Sequence, residues 1–451
     1  MSSPHDSQEI RPEPVKNVLA GASSEVSIDS DPKEVKNDNW LKRLGHQIVP
    51  DGGFVSGVFN LAGGSLGAGI LGLPSAFHAS GIVMGTIYLI VIYLLTVFSM
   101  DILARAAKKT GIRSYEAMAR HLFGRGGDIF TAVIMFVKCF GACIAYVISI
   151  SDLFYAFLTD DNVTGYWASR SFIQVLTTIT FFLFMLPLSL PKRINSLRHV
   201  SLFAVVFIVY FVICVIVHAA KFGMKDGLRD DLALFQSGNE AIRGLGMFMF
   251  AYMCQSNMFE VWNEMRPVQS VSQMTYQTAA SMLLLTVFYW LTGFFGYAEF
   301  GPEVGSSVLK MYRPLHDVAM AIAYVGVIIK LCVAFSLHIL PCRDSLHHLL
   351  GWSLDTVAWW KNALLCTVCC CVALVAGLFI PDVNVVFGLL GSFSGSFIGF
   401  VFPALFYMYA GDFNIKSVGI LMYLSTYALL FAGVVVICFG TTSTIYGVVK
   451  K

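Results

Sequence analysis

The sequence predicts an all-α integral membrane protein with eleven transmembrane helices. Three observations carry that prediction. Of 451 residues, 57% are apolar and only 13% charged, against about 45–50% and about 25% in soluble domains. Mean hydropathy is +0.71. The apolar residues form continuous runs of about 20, the length of a bilayer-spanning helix, and not the short alternating segments of a membrane barrel.

Residues 1–50 are polar, rich in Ser, Asp, Glu and Lys, and contain no apolar run. They are expected to form a disordered cytoplasmic tail. They lack the apolar stretch of a signal peptide, so the first span is expected to act as the targeting signal. Residues 51–451 form the membrane domain. Its spans are predicted at 54–79, 81–104, 127–151, 169–189, 200–220, 240–262, 274–298, 316–341, 359–380, 383–408 and 417–440.

Lys and Arg placement orients the spans. With the tail inside, 19 Lys and Arg fall on the inner side and nine on the outer. The N-terminus is therefore expected in the cytoplasm and the C-terminus outside, in a multi-pass protein of the plasma membrane. The Asn162 sequon "NVT" then lies in an outer loop, as glycosylation requires. In the inner loop "RSYEAMARHLFG", Ser114 is placed to cap a short surface helix and Gly124 to end it. The 11 cysteines lie almost all in apolar runs and read as buried, reduced thiols. A net charge of +2 gives no reason to expect nucleic acid. The partners are a small-molecule substrate and the lipid bilayer, with no cofactor and no metal.

The first span is built unusually. "NLAGGSLGAGILGLPSAF", Asn60 to Phe77, holds five glycines and a proline, the poorest helix formers. Inside a bilayer every backbone N–H and C=O needs a partner. A glycine-dense span is thus either tightly packed or broken to expose its backbone to a cavity. "GSFSGSFIG" at 391–399 suits packing, because Gly391, Gly395 and Gly399 form one stripe. "GGSLGAG" spreads glycines over all faces, and a break is expected there. Five spans later the sixth run is interrupted by "CQSN", Cys254 to Asn257. Paired breaks in corresponding spans mark a transporter with inverted repeats, here about 54–220 and about 240–408, with an extra helix at about 417–440.

Several stretches together resemble the amino acid/auxin permease family of the APC superfamily. They are "GAGILGLP" at 67–74, "SYEAMARHLFG" at 114–124, "PLSLPKRINSLRHVS" at 187–201 and "GYAEFGPEV" at 296–304. Within the family the chain looks most like the amino acid permeases of trypanosomatid parasites. The resemblance runs from about residue 50 to the end. It implies a secondary transporter, symporter or uniporter, with the LeuT-type five-plus-five inverted repeat and broken helices 1 and 6. Animal members carry a His-Pro-Glu type sequence at the sixth-span break. This chain has Gln255, Ser256 and Asn257, so their substrate choice does not carry over.

The candidate site follows from the two breaks. Gly67, Ala68, Gly69 and Ile70 open the second half of the first span. Its free N–H groups and positive dipole end would receive a substrate carboxylate. At the sixth-span break the carbonyls of Tyr252 and Cys254 would receive the ammonium, with Gln255, Ser256 and Asn257 adjusting polarity. Tyr146 is a candidate carboxylate contact. Glu260 is a candidate partner for a cationic side chain.

Lys138 and Lys330 lie mid-span, where a charge is costly and usually functional. Lys330 shares a small-residue face with Ala323, Gly326 and Ala334. That face is expected to point into the bundle. In the fold that the resemblance implies, the eighth span packs on the broken first span with a sodium site commonly between them, so Lys330 is a candidate tethered replacement for that ion, with a proton as the candidate coupling ion. Lys138 shares a face with Gly141, Ala142 and Ala145 and is expected in a gating ion pair. No ring of charges marks a channel, and no cluster of ionisable residues in the spans marks an enzyme. The open alternatives are a polyamine permease on the same scaffold and an amino-acid-sensing receptor.

Overall fold

The computed structural model describes residues 52–158, 165–191, 197–225, 227–352 and 357–450. The expected tail and the Asn162 sequon lie outside the described residues. Among those residues the regular structure is helical throughout, and no strand occurs.

The chain enters through α1 (Phe54–Ser65), turns at Leu66 and Gly67, forms one tight turn over Ala68–Gly72, and continues as α2 (Leu73–Ser80). The two halves are bent by 53°. Pro74 sits in the first turn of α2, where its missing N–H costs nothing. Next comes α3 (Ile82–Thr110), held between Gly81 and Gly111, both with positive φ. Such a left-handed residue closes a helix at little cost only when it is glycine.

The surface helix and the third span run together as α4 (Tyr115–Leu158), with a corner at Gly124, φ 74°. Ser114 caps the start by accepting the Ala117 N–H at 3.2 Å. Tyr115 and Met118 are buried. The expected punctuation is present: Gly124 leaves helical geometry and ends the surface helix, and the span follows it directly.

The following helices are α5 (Arg170–Ser189) and α6 (Leu197–His218, running on to Gly223). The sixth segment is in two pieces, α7 (Asn239–Ala251) and α8 (Met258–Glu264), joined by a short turn at Gln255–Asn257. Then come α9 (Val271–Phe300), α10 (Val318–Leu349), α11 (Trp359–Phe379), α12 (Val383–Tyr409) and α13 (Ile420–Val449). Asp317 and Asp382 cap α10 and α12, each accepting a backbone N–H at 2.9 Å.

Among the described residues nine helices are long and apolar enough to cross a membrane, and the bent pair α1–α2 makes a tenth. The sixth segment is outside that count because its pieces are short, 13 and 7 residues. The core gathers around α4, α10 and α12, the most enclosed of the long helices, while α3, α5 and α13 keep most of their surface outward. All 11 cysteines are free and nine are buried.

The glycine stripe of α12 lies against the sixth segment. A Cβ on Gly391 would stand 1.8 Å from the Gly246 carbonyl, one on Gly395 would meet the Met253 sulfur, and one on Gly399 would face the Gln255 amide. Close packing is therefore what these glycines provide. α12 passes through them in wide π-type turns at Leu390–Gly395 and Phe397–Val401.

Candidate functional site

The two breaks lie side by side. A Cβ on Gly69 would sit 3.0 Å from the Ala251 Cα, at the end of α7. A Cβ on Gly64 would strike the Asn257 amide nitrogen at 2.0 Å. Farther along, the Asn60 amide donates to Glu264 of α8 at 3.1 Å. Glycine is needed at 64 and 69 because the sixth segment lies directly on that backbone.

Each first half-helix ends inside the protein, where its last carbonyls have no helical partners. Side chains from other helices supply some of them. The Tyr289 hydroxyl of α9 lies 2.8 Å from the Ala251 carbonyl and 3.2 Å from the Ser65 carbonyl. The single phenol proton is shared between the ends of α7 and α1, closer to α7. The Lys330 ammonium of α10 donates to the Gly63 carbonyl at 2.9 Å. A cation at a helix C-terminus is favoured by the helix dipole. Lys330 is 1% exposed, and this is its one hydrogen bond among the described residues.

Lys138 of α4 is also buried and donates to the Ser256 hydroxyl at 2.9 Å. Ser256 in turn donates to the Asn257 side-chain oxygen at 3.1 Å. No ion pair to Lys138 occurs among the described residues. Where a gating pair was expected, a hydroxyl at the sixth-segment break takes the ammonium.

Tyr146 stands over the first break, its hydroxyl 3.0 Å from where a Gly67 Cβ would be. The same hydroxyl lies 3.3 Å from the His338 ring Nδ1, which also approaches the Ala334 carbonyl at 2.9 Å. Ala68 and Ile70 are buried beside it. Tyr252 turns its hydroxyl away to Thr286, 2.6 Å distant, and sets its ring edge against Tyr289. Its carbonyl accepts the Cys254 N–H at 2.8 Å, and the Cys254 carbonyl accepts the Asn257 N–H at 2.9 Å. Each keeps one lone pair.

Gln255 is 2% exposed, and its side-chain oxygen is buried without a hydrogen-bond partner among the described residues. The Ser65 hydroxyl oxygen, at the other break, is in the same condition. Leaving such groups unpaired costs about 1–3 kcal/mol each. Ser256 and Asn257 are half-buried. Glu260, on α8, is exposed and makes no hydrogen bond or ion pair among the described residues.

Sequence reasoning missed Ser65, Tyr289 and His338. Ser65 and His338 carried a usable signal, a polar or ionisable group at mid-membrane depth. Tyr289 carried none, being one of 18 tyrosines in an ordinary apolar run.

Residues 50–446 match the family model described as transmembrane amino acid transporter protein. The chain is 28% identical over 367 residues to vacuolar amino acid transporter 5 of Schizosaccharomyces pombe, covering 79% of this chain and 84% of that one. It is 28% identical over 427 residues to sodium-coupled neutral amino acid transporter 7 of Xenopus laevis, covering 89% of each. The match to human solute carrier family 38 member 10, also 28% identical, takes in 78% of this chain and only 32% of that protein. With its helices interrupted at two adjacent points and the family model matched along nearly all of its length, the chain belongs to the transmembrane amino acid transporter family.

Proposed function

We propose that the chain carries an amino acid across the membrane by alternating access, holding it between the break of α1–α2 and the break of α7–α8. Family membership makes the protein an amino acid transporter and not an enzyme. One observation supports the location above others. The Ser65 and Gln255 side chains each keep a buried oxygen without a partner, one at each break, and a zwitterion supplies the missing donors and acceptors. Its carboxylate meets the N–H groups at Gly67–Gly69 and the Tyr146 hydroxyl. Its ammonium meets the Gln255 side-chain oxygen and the remaining carbonyl lone pairs of Tyr252 and Cys254, and the Ser65 hydroxyl donates to its carboxylate.

The fixed charges bear on the substrate class. Two ammonium groups, Lys138 and Lys330, flank the breaks with no carboxylate partner among the described residues. They disfavour a cationic side chain, and the name of the Xenopus laevis relative points to a neutral one. A cationic substrate is the second reading, favoured by the exposed and unpaired Glu260.

The Lys330–Gly63 contact supports transport without sodium, although several relatives are named sodium-coupled. A proton leaving and returning at Lys330 would then couple transport to pH, and a permanently charged Lys330 would make the protein a uniporter. The proposed topology is eleven spans in a five-plus-five inverted repeat plus α13, with a cytoplasmic tail before residue 51. The proposed membrane is the plasma membrane. The vacuolar name of the fission yeast relative makes an organellar membrane the rival.

Binding tests the location. Radiolabelled amino acids are titrated against purified protein, wild type and Gln255→Ala. An affinity loss of about tenfold is expected, from a hydrogen bond made only to bound substrate. Unchanged affinity would put the substrate elsewhere. Binding of putrescine unaffected by amino acids would favour a polyamine permease. Binding without uptake would favour a receptor.

A further inference from the structure

Tyr146 stands at the first break as a donor without an acceptor. It is 3% exposed, and a buried tyrosine hydroxyl normally finds a hydrogen-bond partner. Its one hydrogen-bond contact among the described residues is the His338 Nδ1, 3.3 Å away. The same Nδ1 lies 2.9 Å from the Ala334 carbonyl, one turn earlier on α10. A carbonyl only accepts, so the proton of that bond sits on Nδ1, whatever the state of Nε2. A ring nitrogen that holds its proton cannot accept the tyrosine's. The hydroxyl oxygen therefore takes a second, weaker share of the Nδ1–H, and its own proton is left over.

The surroundings hold this arrangement. The two rings meet edge to face, with centroids 5.3 Å apart and planes at 65°. The opposite tautomer would set a bare Nδ1 lone pair against the Ala334 carbonyl oxygen, acceptor against acceptor. The hydrogen bond to the backbone thus fixes the tautomer. The Tyr146 hydroxyl is directed at the first break, 3.0 Å from where a Cβ on Gly67 would be. The Ser65 hydroxyl, buried without a partner among the described residues, belongs to the same break.

We propose that His338 positions Tyr146 for the substrate. Held as the Nδ1–H tautomer by Ala334, it occupies a lone pair of the Tyr146 hydroxyl and leaves the O–H proton to the substrate carboxylate. This rests on the site proposed above, between the two breaks. His338 acts through Tyr146, and donation from Nδ1 also polarises the O–H, since hydrogen bonds in a chain strengthen one another. Without the imidazole the hydroxyl is free to rotate away from the carboxylate.

Binding of labelled amino acids to the purified full chain tests this in a double-mutant cycle. His338→Leu removes the donor. His338→Gln is a second loss variant, because its amide reaches past the level of Nδ1. His338→Asn keeps an N–H where Nδ1 stood, and the Ala334 carbonyl turns that N–H toward itself. Tyr146→Phe removes the hydroxyl. His338→Leu, His338→Gln and Tyr146→Phe should each weaken binding about tenfold, as the loss of a hydrogen bond to a charged group does. A cooperative melting transition shows that each is folded, and if one loss variant is not, the other carries the cycle. His338→Asn, with its donor retained, should stay within about threefold of wild type. In the Tyr146→Phe background the loss variant should cost no more than about twofold further. Wild-type affinity in the loss variants, an equal loss with and without the Tyr146 hydroxyl, or His338→Asn as weak as His338→Leu would overturn the proposal and leave the site between the breaks standing. Undiminished binding in Tyr146→Phe would overturn it together with the placement of the carboxylate.

Discussion

The Lys330 ammonium and the Gly63 carbonyl meet at 2.9 Å, joining α10 to the last turn of α1 across 267 residues of chain. Gly63 is two residues from the end of α1, so its carbonyl belongs to the negative end of that helix. Lys330 therefore ties the first half of the broken first segment to the scaffold.

Removing that tie should stop transport. Lys330→Ala leaves the Gly63 carbonyl without its donor, at a cost of about 1–3 kcal/mol. Uptake at normal surface expression is expected to fall at least about tenfold, a change worth about 1.4 kcal/mol. Replacing sodium by choline should leave wild-type uptake unchanged. Sodium-driven accumulation that survives in Lys330→Ala would disprove this role.

The glycines at the first break should differ in what they tolerate. A Cβ at 69 meets the Ala251 backbone, which cannot yield, whereas one at 67 meets the end of the Tyr146 side chain. Gly67→Val and Gly69→Val should both abolish uptake. Gly67→Ala should keep part of its uptake, because the end of the Tyr146 side chain can shift with its hydroxyl retained, and Gly69→Ala should lose it. Measuring uptake per surface transporter in the four variants decides it.

Tyr289→Phe should weaken both breaks together. Its hydroxyl is near the terminal carbonyls of α1 and α7, and its loss leaves one or both under-satisfied. The expected effect is a lower melting temperature in detergent, from about 1–3 kcal/mol, and slower uptake. A melting temperature equal to wild type would mean that neither bond contributes.

The sequence disclosed more of the scaffold than of the site. The apolar runs, the Ser114 cap, the Gly124 corner and the two breaks were legible because each has a local signature in a few consecutive residues. The contact of Lys330 with the first segment was anticipated from the fold that the family resemblance implies, its small-residue face showing only that it points into the bundle. The partner of Lys138 was not, because Ser256 lies 118 residues away and nothing local distinguishes a hydroxyl partner from a carboxylate. Tyr289 escaped for the same reason.

Orientation can be checked separately. An epitope at the C-terminus should be reached by antibody on intact cells and one at the N-terminus only after permeabilisation. Asn162→Gln should remove a glycan and speed the protein's migration on a gel. A C-terminal epitope hidden in intact, surface-expressing cells would contradict the span count and the Lys and Arg rule together.

The central claim is that an α-amino acid, held by both of its charged ends, is what crosses. Proteoliposomes containing only this chain, supplied with each of the twenty labelled amino acids and putrescine under imposed proton, sodium or voltage gradients, test it most directly. The account predicts uptake of one or more amino acids without a sodium gradient. Free amino acids should compete, and the same compounds with the carboxylate converted to an amide should not. Uptake of putrescine alone, or amino acid uptake inhibited equally by the amides, would contradict it.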